Sequence, residues 1–262
     1  MFPAFLALTL ALAPVDDEAR RDALARYGLG LLRDATERPA SAVGHLEAAA
    51  AADPTSVEPL KPLVKLYAEL GRDAAAIRTA RKVLELDPAD ADVGHALGKL
   101  LYDGKKFADA AAVFGKAVES PRVAGRPAVR LGILRDLLRA AMAARDFATA
   151  ETTARNALAL VAGERAALLR SGTFPTATHL DREEATLRER LGDALVARQK
   201  YAEAVVAYGE AAKLFRDAVE DRRAAARLNW NLSGAFEAKG DFDNALACLD
   251  RFLAAGPSNV AP

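Results

Sequence analysis

Asn231-Leu-Ser-Gly-Ala-Phe-Glu-Ala-Lys-Gly-Asp-Phe-Asp-Asn-Ala245 reads as the last turns of one helix, a tight turn and the first turn of another. Leu232-Ser233 sets a large apolar residue beside a small one, Gly240 is a turn former, and Phe242 stands three residues before Ala245. The same aromatic-to-alanine spacing recurs as Phe107-Ala-Asp-Ala110, Phe147-Ala-Thr-Ala150 and Tyr201-Ala-Glu-Ala204, and Ala42 and Ala76 fall in phase without the aromatic. From alanine to alanine the intervals are 34, 34, 40, 54 and 41 residues. A repeat of this length is the mark of stacked supersecondary units.

With the anchor alanine placed at position 20, other positions recur as well. A second small residue follows seven later, two helical turns along on one face, as Ala49, Ala117, Ala157 and Ala211. Pro54, Pro88 and Pro257 come twelve after the anchor, where a missing N–H and the ring clash end a helix. Leucine precedes a small residue at positions 7 and 8 in Leu29-Gly30, Leu97-Gly98, Leu191-Gly192 and Leu232-Ser233. Each unit therefore reads as two antiparallel helices in close contact. The 54-residue interval contains Ser171-Gly-Thr-Phe-Pro-Thr-Ala-Thr178, which has turn formers and hydroxyls without helical period and predicts a loop over 171–180.

These residues resemble the tetratricopeptide repeat family, over roughly residues 23–256 and at several positions per unit. The family's tryptophan at position 4 is represented only by Trp230, one place late. The resemblance implies an all-α fold, an α-solenoid of antiparallel helix pairs forming a right-handed superhelix, with units near 23–56, 57–90, 91–124, 131–170, 185–218 and 226–256 and a tail at 257–262. It also implies a non-catalytic scaffold that binds a partner protein or peptide in a concave groove lined by the first helix of each pair.

Composition agrees with a helical reading and narrows the partners. The chain has 262 residues, 52% of them hydrophobic, and 36 Lys plus Arg balance 36 Asp plus Glu, so no net field draws in nucleic acid or an anionic membrane. Three histidines and one cysteine give no paired-ligand spacing for zinc and no nucleophile with its base, so no cofactor, metal or enzymatic activity is expected. Gly94-His-Ala-Leu-Gly98-Lys99 is one residue short of a phosphate loop and belongs to a repeat helix. His179, Asp181, Glu183 and Glu184 read as the first turn of a helix capped by Thr178 or Asp181, in preference to a metal site. Cys248 reads as a small apolar residue of the last helix.

At the start of the chain Phe5 to Ala13 is apolar, too short to span a bilayer, and ends in the small-x-small triplet Ala11-Leu12-Ala13. Residues 1–13 thus read as a signal peptide and 14–22 as a polar segment, which predicts export to a periplasmic or extracellular location with no transmembrane segment in the mature chain; a cytoplasmic location is the alternative. No Lys or Arg precedes the run, and Pro14 follows the site directly, both of which count against cleavage there.

Positions 5 and 9 of the first helices would point into the groove. They read Lys61 and Lys65, then His95 and Lys99, then Arg135 and Arg139, with Tyr102 beside them. Unit one offers Tyr27 and Leu31, unit five reverses sign with Glu189 and Asp193, and unit six offers Trp230 and Gly234 with Arg227 a turn before. The basic stretch predicts an acidic peptide or a C-terminal carboxylate, held by charge-assisted hydrogen bonds of about 1.5–3 kcal/mol each. The competing reading is a solvated face on which Lys65 and Lys99 pair with Glu69 and Asp103 four residues on; Arg135 and Arg139 have no such acid. The asparagines of the chaperone-binding carboxylate clamp are missing from these positions, and no nucleic-acid ligand is expected because aromatics for stacking are lacking beyond Tyr102.

Two rival readings accompany the groove. Leu246, Leu249, Phe252 and Leu253 follow an i, i+3, i+6, i+7 spacing on the last helix and predict an apolar strip for a second copy or a structural partner. A small ligand near loop 171–180 would instead make the chain a ligand sensor or enzyme accessory.

Overall fold

In the computed structural model residues 17–35, 39–215 and 219–255 are described. The N-terminal run read as a signal peptide lies outside them, as does the tail from 256. Among the described residues the chain forms twelve α-helices and a 3-10 turn at Pro121–Val123, with no strand. It divides into two compact units, Met1–Pro88 and Ala89–Pro262.

The first unit holds α1 (Asp17–Ala35), α2 (Pro39–Ala52), α3 (Leu60–Glu69) and α4 (Asp73–Leu86), each packed on the next. In the second, α5 (Ala91–Asp103), α6 (Phe107–Val118), α7 (Pro127–Ala143), α8 (Phe147–Arg170), α9 (Ala177–Ala197), α10 (Tyr201–Lys213), α11 (Val219–Lys239) and α12 (Phe242–Ala254) likewise stack in order. The all-α class and the helix pairing read from the repeat are what the structure contains.

The repeat positions acquire physical roles. All six anchor alanines, Ala42, Ala76, Ala110, Ala150, Ala204 and Ala245, are buried at 0–6% exposure. Position 15 adopts the left-handed conformation in five successive pairs: Gly71 and Gly240 with φ of 68° and 83°, and Lys105, Arg145 and Gln199 with φ of 59°, 59° and 61°. The turn is thus set by packing of the two helices, since three side chains accept a conformation costing roughly 1–2 kcal/mol. The second helix of each of these pairs opens two residues later, with Phe107, Phe147, Tyr201 or Phe242 as its first residue in four of them.

Positions 8 and 24 are complementary in size. A Cβ on Gly98 would stand 2.4 Å from the ring of Phe114, and one on Gly192 2.4 Å from the ring of Tyr208, so glycine is what admits each ring. Where position 8 is Val64 or Leu138, position 24 shrinks to Ala80 or Ala154, and all four residues are buried. Constant summed volume keeps the pairs close-packed while the residues change.

The long interval has a definite shape. α8 runs 24 residues and breaks at Glu164 (φ −115°, ψ 18°). Phe174 then turns into the core, and α9 begins at Ala177 with Thr176 as its cap, whose side chain accepts from the His179 N–H. The predicted loop is therefore shorter than 171–180, and the cap is neither Thr178 nor Asp181. Thr176 is the residue before the helix with the extended backbone that a cap requires, and its hydroxyl oxygen meets both the N–H and the ring of His179.

Candidate functional site

In the second unit α5, α7 and α9 are the first helices of successive pairs, and they present Tyr102, Arg135, Arg139 and Arg190 to one cleft of about 570 Å³. Its apolar lining comes from Leu138, Met142, Ala143 and Leu187, and Glu183 and Thr186 supply polar groups. The spacing of Arg135, Leu138, Arg139 and Met142 places them on one face of α7.

A polar chain runs through the site. His95 Nε2 lies 2.8 Å from Asp136 Oδ2, and Arg139 Nη1 donates to Asp136 Oδ1 at 3.0 Å. The Arg139 guanidinium stands 4.8 Å over the Tyr102 ring, and that ring packs on Phe107 at 5.1 Å between centroids. Burial raises the Asp136 carboxyl, but His95, Arg139 and Arg135 outweigh it and hold it below its ordinary value. Lys99 is exposed and borders a small adjoining cavity with Tyr102, Asp103 and Arg139. Among the described residues it makes no ion pair.

Arg135 reaches across to Glu183 Oε2 at 3.5 Å, and Arg190 donates from Nη1 to Asp193 at 3.1 Å. The other Glu183 oxygen is buried without a hydrogen-bond partner among the described residues. Burial pushes its carboxyl above the ordinary value despite Arg135. Each arginine is thus tethered by one weak or single contact, which leaves donors of its planar fork unused at the cleft.

Several sequence expectations change here. His95 is half-buried against Asp136 and Phe114 and serves as a link between α5 and α7, where an open partner-binding residue of the groove was expected. Glu189 does not make the groove acidic: it is 5% exposed, and Arg227 grips it through Nε and Nη2 at 2.7 and 2.8 Å. Asp193 accepts from Tyr208 Oη at 2.8 Å as well as from Arg190. Arg135 and Arg139 have acidic partners after all, one on α9 and one three residues back, which an i to i+4 search does not find. Lys99 does not pair with Asp103, whereas Lys65 does meet Glu69 at 3.6 Å and Lys61 meets Glu58 at 3.6 Å. Both of those lysines sit on α3 in the first unit.

Asp136, Glu183, Thr186, Leu187 and Arg190 were not singled out as site residues from sequence. Asp136 and Arg190 share position 6, one residue beyond the position that was followed, which was the available signal. The four groups near 180 are taken up by protein partners: His179 by Thr176, Glu183 by Arg135, Asp181 by Arg165, and Glu184 by Arg188 and, at 3.6 Å, by Arg165 as well. On α12, Leu249 and Phe252 pack back, Phe252 at 5.4 Å from the Trp230 ring, so only Leu246 and Leu253 of the expected strip stand open.

Stacked helix pairs with a side-chain-lined cleft on their first helices define a helical repeat scaffold. Two family models, both of the tetratricopeptide repeat, match residues 35–100 and 208–260. Among solved structures, YrrB, described as a TPR protein with an unusual peptide-binding site, has a TM-score of 0.58 at 15% identity over 82% of this chain and 93% of that one. BtubC from P. vanneervenii has a TM-score of 0.53 at 19% identity over 94% and 95%. No curated protein matches the sequence. Residues 35–100 and 208–260 thus carry tetratricopeptide repeats, a motif generally found in non-catalytic protein-interaction scaffolds.

Proposed function

We propose that this protein holds a partner segment in the cleft of α5, α7 and α9, through an acidic side chain or a C-terminal carboxylate of that segment. The observation that carries the reading is the convergence of three exposed arginines, Arg135, Arg139 and Arg190, on one apolar-floored cavity. Their single tethers orient the guanidinium groups in advance, which lowers the ordering cost of binding. Tyr102 supports Arg139 from beneath, and Lys99 adds an exposed cation at the rim. Apolar contact with Leu138, Met142 and Leu187 supplies affinity, and the guanidinium groups select for charge. Export belongs to the same proposal: a partner in an envelope compartment would meet the mature chain, and mass measurement of the protein recovered from its native cell decides whether residues 1–13 are removed.

The test is an array of peptides in acidic, neutral and basic sets, each with free and amidated C termini, probed with the wild-type chain and with Arg139→Ala and Arg190→Ala. Retention of acidic or free-carboxylate peptides by the wild type, lost in both variants at equal helicity, is the expected result. Equal retention of all charge classes, or binding that survives both variants, overturns the reading.

A further inference from the structure

The joints between successive helix pairs repeat in register, and both halves of that joint stand uncovered elsewhere on the same chain. Within the chain, α2 packs on α3, α6 on α7, α8 on α9 and α10 on α11. On the first helices so covered, positions 7 and 10 are Leu63 and Leu66, Leu137 and Ala140, Leu191 and Ala194, and Leu232 and Ala235, none more than 7% exposed. On α1 the same positions are Leu29 and Leu32, 44% and 58% exposed. Among the described residues α2 is the one helix packed on α1.

The second helices show the reciprocal pattern. Positions 21 and 28 of α10, Val205 and Ala212, are half-buried and packed on the core. On α12 these positions are Leu246 and Leu253, 60% and 59% exposed, although Cys248 on the inner side is 2% exposed. Two large apolar residues at matched register on each helix are more than scattered surface leucines.

We infer that α12 of one copy receives α1 of a second copy, continuing between molecules the joint that each molecule repeats internally. The register argues for this occupant: α1 carries large apolar residues at the two positions that the preceding second helix covers in α3, α7, α9 and α11. The contact is heterologous, so each copy uses both faces and the assembly grows as a chain until its rotation closes it into a ring. It involves no residue of the arginine cleft and is independent of the peptide proposal.

The test is sedimentation velocity on the full chain over a range of concentrations, with Leu32→Glu and Leu246→Glu as single-face variants and Leu32→Gln and Leu246→Gln as milder replacements, all checked for equal helicity. The wild type is expected to grow past dimer with concentration, and each variant alone to weaken association by at least about tenfold. A 1:1 mixture of the two variants is expected to stop at dimer, because one intact α12 meets one intact α1. A wild type that stays monomeric throughout, a Leu32→Glu variant that still dimerises by itself, or a mixture that stays monomeric would each overturn the inference.

Discussion

Two stretches of the second unit use the same chemistry to opposite ends. Along α5, α7 and α9, Arg139, Arg135 and Arg190 touch acids through single contacts of 3.0, 3.5 and 3.1 Å beside an open cavity. Between α9 and α11, Arg227 grips Glu189 with two bonds of 2.7 and 2.8 Å around a carboxylate that is 5% exposed. An arginine whose fork is closed on a buried acid is a structural tie, and one held by a single bond at a cavity is a donor in waiting. Residue type does not distinguish them; depth and bond number do.

Removing the tie has the largest expected effect. Arg227→Ala strips the buried Glu189 carboxylate of its bidentate partner and leaves only the long contact from Asn231 at 3.5 Å. A loss of about 3 kcal/mol, read by urea denaturation, is expected from an unpaired buried charge. Arg139→Ala should cost under about 1 kcal/mol, because its partner pair is largely exposed on the arginine side, while removing binding of acidic peptides. If the two substitutions cost the same stability, the distinction between tie and donor is broken.

Acid titration sharpens the contrast with opposite signs. Asp136 is held below its ordinary value, with burial opposing and His95, Arg139 and Arg135 prevailing; its contribution is present above the unfolded value and lost as pH falls through the folded one. Asp193 is raised, chiefly by burial against the help of Tyr208 and Arg190, so its contribution is present below the unfolded value and lost as pH rises through the folded one. Asp136→Asn should therefore flatten the loss of stability on acidification. Asp193→Asn should remove the loss on the rising side. Chemical denaturation across the carboxylate range compares the two, and slopes of the same sign would contradict the assignment.

Much of the architecture was legible because it rests on local rules. The anchor alanines, the small residues at position 8 and the helix-ending prolines each act within one unit, and their period survives in the chain. Three parts of the site were not legible. Glu183 meets Arg135 across 48 residues, and the long interval hides the register that would align them. The cap at Thr176 was missed because Thr178 and Asp181 are equally good caps by residue type. Position 6 was passed over beside position 5, although a helix that drifts by a few tens of degrees over its neighbour exposes either.

From the sequence alone came the helix pairs, their turns and the concentration of cations on three first helices, since these follow from steric size, backbone conformation and helical period. Tertiary structure alone decided which cations remain open. Glu183 and Glu189 approach their arginines, and His95 approaches Asp136, through the stacking of separate helices, and the free energy of a charge depends on the partners and the water that stacking leaves it.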